Sequence, residues 1–122
     1  DLDGCPFELV VADVSFISLT TVAPALTSLA RPGGDLVVLV KPQFEAGRRD
    51  VSRGRGVIRD PDIWVRAVQD VVGALTSVGA GACGVVRSPL RGGQGNVEFL
   101  LWAKVGRPTT LHDAAIAALG AD

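Results

Sequence analysis

"GACGVVRSPLRGGQGNVEFLLWAK" occupies residues 81–104. Two apolar runs, 81–88 and 96–104, flank the turn-rich "PLRGGQG" (89–95). Both runs read as buried strands. The connection is too short for a crossover helix, and parallel neighbours need a dozen or more linking residues. The two strands are therefore expected to pair as an antiparallel hairpin.

Upstream, strands and helices alternate. "FELVVAD" (7–13) and "DLVVLVK" (35–41) are Val-rich apolar runs, each ending on a charge. Between them, Val22, Ala25, Leu26 and Leu29 stand at helical spacing, and "RPGG" (31–34) stops that helix. "PQFEAGRRDVSRGRGVIR" (42–59) reads as a long Gly- and Arg-rich loop, a feature usually functional or disordered. Asp60 and Pro61 form a helix start, with Asp60 as N-cap. Trp64, Val68, Val71, Leu75 and Val78 follow on one face, and Gly79 ends the helix. A short terminal helix is expected in 110–121. Strongly apolar strands alternating with helices imply an α/β fold, with parallel strands, a final antiparallel strand, and helices on both faces of the sheet. If 81–88 runs with the first two strands, 96–104 runs against all of them.

That topology has a chemical consequence. Ligands of open α/β sheets bind at the carboxyl ends of the parallel strands. Asp13 ends the first strand, Lys41 ends the second, and Glu98 lies near the start of the reversed strand. All three converge on one rim. Asp13 could instead cap the following helix, and Lys41 could mark a strand surfacing before Pro42. Glu98 is harder to explain as surface, because Val97, Phe99, Leu100 and Leu101 surround it. A buried carboxylate needs a partner, and Lys41 is the available one.

Composition narrows the classes. The 122 residues are 48% hydrophobic with a net charge of −1, as in one globular domain or a large piece of one, and there is no global basic field. Charge is local: Arg48, Arg49, Arg53, Arg55 and Arg59 face a single acid, Asp50, a segment suited to a phosphate backbone or to a solvated loop. Cys5 and Cys83 lie far apart without metal-ligand spacing, and His112 is isolated, so no metal site is signalled. No apolar run approaches the ~20 residues of a membrane span, and a reducing cytoplasm is expected. A chain beginning at Asp1 with a strand close behind reads as a fragment.

"ADVSFISL" (12–19), "VKPQFE" (40–45), "GVIRDP" (56–61) and "GNVEFLLW" (95–102), in that order, resemble the TlyA-type ribosomal RNA methyltransferases, historically labelled haemolysins, within the FtsJ-like ribose 2′-O-methyltransferases. The resemblance implies a partial Rossmann-like, S-adenosylmethionine-dependent methyltransferase fold. Residues 1–122 would be the C-terminal part of one methyltransferase domain, its glycine-rich cofactor loop and S4-type RNA-binding domain lying upstream. It further implies a Lys–Asp–Lys–Glu tetrad, with Asp13, Lys41 and Glu98 matching its last three members and no counterpart for the first. Asp13, Val14, Ser15 and Phe16 would border the cofactor. Phe16 would reach the target nucleotide and stack on an extruded base, unless it is simply a core residue beside Ile17. Asn96 would bond the RNA or serve its own tight turn. Arg48, Arg49, Arg53 and Arg55 would contact phosphates. Where family members often read P-G-P-S-G-N, this chain reads Arg91-Gly92-Gly93-Gln94-Gly95-Asn96, so Asn96 matches and Gln94 departs.

The chemistry suits those residues. A ribose hydroxyl is a weak nucleophile and needs a base, or a cation for its developing alkoxide. An ordinary lysine keeps its proton at neutral pH. Lys41 is therefore either general base or alkoxide stabiliser, oriented by the two carboxylates. The expected partner is ribosomal RNA or a ribosomal subunit, with self-association through an exposed sheet edge as a further expectation. Two other classes remain: a half-domain unable to bind cofactor alone, and a membrane-active haemolysin. The helix at 60–78 argues against the latter, since it begins with acids and carries one Arg, Arg66.

Overall fold

Strand β1 (Phe7–Ala12) leads through an exposed loop to α1 (Leu19–Leu29), and β2 (Ala30–Val40) follows directly. The computed structural model of the protein describes residues 6–47 and 56–121. One turn of helix, α2 (Pro42–Glu45), opens the segment expected to be loop, because Pro42 supplies a preset first-turn φ. Helix α3 (Pro61–Ser77) starts as expected, the Asp60 carboxylate accepting from the Asp62 N–H and Pro61 sitting in the first turn. Gly79, at φ +88°, reverses the chain into β3 (Ala80–Arg87). A 3-10 turn at Gly93–Gly95 leads to β4 (Phe99–Val105), and α4 (Asp113–Ala117) closes the order.

The sheet order is β1-β2-β4-β3. β1 pairs parallel with β2, while β4 lies between β2 and β3 and runs against both. The hairpin read from 81–104 is present, and β4 reverses direction relative to the other three strands.

Three expectations shift. "RPGG" does not separate α1 from β2; it is a bulge within β2, where the pairing slips between Phe7–Ala30 and Leu9–Asp35. Gly33 has φ +79°, and a Cβ on Gly34 would lie 2.8 Å from the Arg31 carbonyl oxygen. The buried stripe of α1 is Leu19, Ala23 and Thr27, whereas Ala25 and Leu29 face water. Helices on both faces were expected, but the described helices all cover one. α1, α2 and α4 each pack on α3, and α3 covers Leu36, Val38, Val40, Phe99, Leu101 and Ala103. The alternate side chains on the other face stay open: Leu9, Val11 and Trp102 are exposed, and Val37, Leu39 and Leu100 are half-buried. Among the described residues, then, the sheet is a two-layer structure with a second apolar face.

Candidate functional site

Register fixes the geometry of the rim. Val40 pairs with Phe99, so one step beyond the ladder Lys41 stands across from Glu98. Ala12 pairs with Val38 in the parallel ladder, so Asp13 emerges at the same end. Strand alternation then decides the face. Asp13 continues the series of Leu9 and Val11, Lys41 that of Val37 and Leu39, and Glu98 that of Leu100 and Trp102. All three therefore emerge at one rim of the sheet, at the carboxyl ends of β1 and β2.

The side chains divide into two units. Lys41 Nζ lies 2.5 Å from Asp13 Oδ1 and donates to Ser15 Oγ across 3.0 Å. Its side chain is 11% exposed, while that of Asp13 is 63% exposed. An ammonium thus sits nearly buried behind a carboxylate that faces outward. Glu98, 5% exposed, is held differently: Gln43 Nε2 donates to its Oε2 across 2.9 Å. The backbone over it is Gly92, where a Cβ would come within 1.8 Å of Oε2. Lys41 was expected to be the partner of Glu98. The partner found is Gln43, because the α2 turn swings the amide over β4 while the amine turns toward Asp13. Nothing in the sequence pattern distinguished these outcomes, although Gln43 stands two residues from Lys41.

An aromatic cleft adjoins this rim. Phe16 has φ +64°, a region costly for a non-glycine residue, and is 90% exposed, which excludes a core role. Its ring rests on Phe44, with centroids 5.0 Å apart. Together with Gln43, Gly93, Gln94 and Asn96 they border a largely apolar cleft of about 410 Å³. Asn96 belongs to the scaffold of that cleft. Its amide nitrogen donates to the Gly56 and Gly93 carbonyls at 2.9 and 3.0 Å, and its oxygen accepts from the Ile58 N–H at 2.9 Å. At 3% exposure it serves the turn. Both of its amide hydrogens are engaged within the chain.

The loop carrying Asp13–Phe16 is anchored from α2. Glu45 accepts from Ser18 Oγ at 2.5 Å and from the Leu19 N–H at 2.8 Å, at the start of α1. Burial pushes the Glu45 carboxyl above its ordinary value, against the lowering effect of these two bonds. Val14 packs on the core, whereas Ser15 is exposed and engaged with Lys41. Arg48, Arg49, Arg53 and Arg55 lie outside the described residues. No group of three or more metal-ligating side chains occurs among the described residues.

A cationic group on a ligand would meet a counter-charge on one side of this rim. Asp13 offers an exposed carboxylate at the strand end, and Ser15 and Phe16 lie open beside it.

Known proteins give the arrangement its context. The "16S/23S rRNA (cytidine-2'-O)-methyltransferase TlyA" of Mycobacterium tuberculosis is 46% identical over 117 residues, 96% of this chain and 41% of that protein. The "Putative rRNA methyltransferase YqxC" of Bacillus subtilis is 44% identical over 98 residues, 80% of this chain and 34% of that protein. A solved structure, "Putative hemolysin from Streptococcus thermophilus", superposes with a TM-score of 0.86 at 36% identity, over 93% of this chain and 41% of that one. The chain thus spans about two fifths or less of the length of these three proteins. Residues 1–105 match the model of the FtsJ-like methyltransferases, and the chain belongs to that family.

Proposed function

We propose that the protein of which this chain forms part methylates a ribose 2′-hydroxyl of ribosomal RNA, with S-adenosylmethionine as donor. The observation that carries this reading is the nearly buried Lys41 ammonium, clasped by Asp13 and Ser15 beside the aromatic cleft. The cofactor supplies an electrophilic methyl group. Lys41 meets the ribose oxygen, either taking its proton as a neutral amine or, as an ammonium, stabilising the negative charge that develops on it while the proton passes to water. Asp13 and Ser15 hold the amine in place. Glu98, locked by Gln43, sets a fixed negative charge across the rim from it. Phe16 offers an exposed face to the target base, a stacking contact worth ~1–3 kcal/mol. Held in line by these contacts, the two reactants need little further reorganisation. The relatives' names support the substrate class, since the Mycobacterium tuberculosis protein is named for 16S and 23S rRNA. A cytoplasmic location follows from that substrate.

Transfer of labelled methyl from S-adenosylmethionine to rRNA by the intact protein tests the reading. Lys41→Ala should abolish transfer with cofactor affinity largely unchanged. Equal loss of both would make Lys41 structural.

The open sheet face favours a second reading of the 122-residue unit by itself: it binds no cofactor until the rest of its protein, or another copy on the free edge of β1, completes it. Calorimetry of this unit with S-adenosylmethionine decides, since saturable binding would defeat that idea.

A further inference from the structure

Arg59, Arg87 and Arg91 are far apart in sequence, yet they line one cleft of about 370 Å³ with Trp64, Gln94 and Gly95. Gln94 also borders the aromatic cleft, so the Gly92–Asn96 turn separates the two spaces. We infer that this second cleft is a phosphate site, holding the backbone of the RNA strand that continues past the target nucleotide. The inference rests on the proposed RNA substrate and adds where its strand runs.

Charge is the first argument. Among the described residues no carboxylate lines the cleft, and the ion pairs are Arg31–Glu8, Lys41–Asp13 and Lys104–Asp35. Three arginines bordering one cleft concentrate positive charge there, which favours an anion placed within it.

Preorganisation is the second. The Arg87 guanidinium lies 5.2 Å from the Trp64 ring centroid. Trp64 is itself 7% exposed, and its Nε1 donates to the Ile58 carbonyl at 2.9 Å. The platform under Arg87 is therefore rigid. Arg91 is tethered by a 3.1 Å bond from Nη1 to the Gly95 carbonyl. Two of the three forks are thus restrained before any ligand arrives, while the remaining N–H groups of each suit bidentate phosphate recognition. Location is the third: one short turn divides this cleft from the place proposed for the target base.

The test is filter binding of the intact protein to deproteinised ribosomal RNA across a KCl series. Arg59→Gln and Arg91→Gln, both at exposed positions, should each weaken binding at low salt and reduce the log–log salt slope by about 0.7–0.9, one phosphate contact apiece. Arg87→Lys should keep the slope and Arg87→Gln lower it, which separates charge from the packing on Trp64. Cofactor affinity and unfolding midpoints should match wild type for the Arg59 and Arg91 variants. Unchanged slopes in a protein that still methylates rRNA would reduce the cluster to solvated surface and leave the proposed function standing. A wild-type protein that neither binds nor methylates rRNA would end both.

Discussion

Gln43 Nε2 donates to Glu98 Oε2 across 2.9 Å, with both side chains more than nine-tenths buried. The pair joins the α2 turn to the foot of β4 and gives the Glu98 carboxylate its described side-chain partner. Removing the amide leaves that carboxylate desolvated without compensation, which costs about 1–3 kcal/mol or more for a charged group. Gln43→Leu should lose at least that much stability in denaturant unfolding. Glu98→Gln should lose less, because the two amides can still bond each other. Equal losses would mean that an amide cannot replace the carboxylate, so that the charge and not the hydrogen bond as such sets the cost.

Gly92 is constrained by the same carboxylate. A Cβ there would sit 1.8 Å from Glu98 Oε2, so Gly92→Ala must displace the glutamate or its own loop. Overpacking of this kind costs about 1–3 kcal/mol. Gly92→Ala should be unstable and inactive, and adding Glu98→Ala should restore the unfolding midpoint without restoring methylation. A double variant no more stable than Gly92→Ala would show that the clash lies elsewhere.

Phe16 combines strain with exposure. A non-glycine residue at positive φ costs of order 1 kcal/mol, and a side chain that is 90% exposed recovers little of it by burial. Phe16→Gly should therefore leave stability unchanged or raise it by up to about 1 kcal/mol, while rRNA affinity falls about tenfold through the lost stacking face. Loss of stability with unchanged rRNA affinity would make Phe16 a structural residue packed on Phe44.

How far the rim was legible in the sequence depended on chain geometry. The length of 89–95 forced the hairpin, and with 81–88 running with the first two strands, the hairpin brought Lys41 and Glu98 to the same end. Partner choice was not legible. A lysine and a glutamate on facing positions can miss each other when an adjacent turn delivers a better donor, and the direction of that turn depends on how Pro42–Glu45 packs on α3. The face of α1 was misread for a related reason. Val22 and Leu26 border both candidate stripes, and hydropathy favoured Leu29 over Thr27. Contact with α3 selects Ala23 instead, at 1% exposure, where a small side chain permits close approach. Asn96 shows the same limit: its residue type announced hydrogen bonds, and only the fold showed that they go to Gly56, Ile58 and Gly93.

Glu45 gives the site a pH dependence with a definite sign. Burial raises its carboxyl above the ordinary range, the bonds from Ser18 and Leu19 oppose that, and the negative charge of Asp70 adds a smaller push upward. The folded state therefore holds the Glu45 proton more tightly than the unfolded chain does. The resulting stabilisation is full below about pH 4, the ordinary glutamate range, and is lost as pH rises through the raised folded value. Glu45→Gln retains a carbonyl acceptor for the Leu19 N–H but cannot ionise. Measured by denaturant unfolding at steps from about pH 4 to 7, the stability of wild type relative to this variant should decline with rising pH. Parallel curves would show that the carboxylate is no worse placed in the fold than in water. A relative gain with rising pH would show that the Ser18 and Leu19 bonds outweigh the burial and govern how the Asp13–Phe16 loop is held.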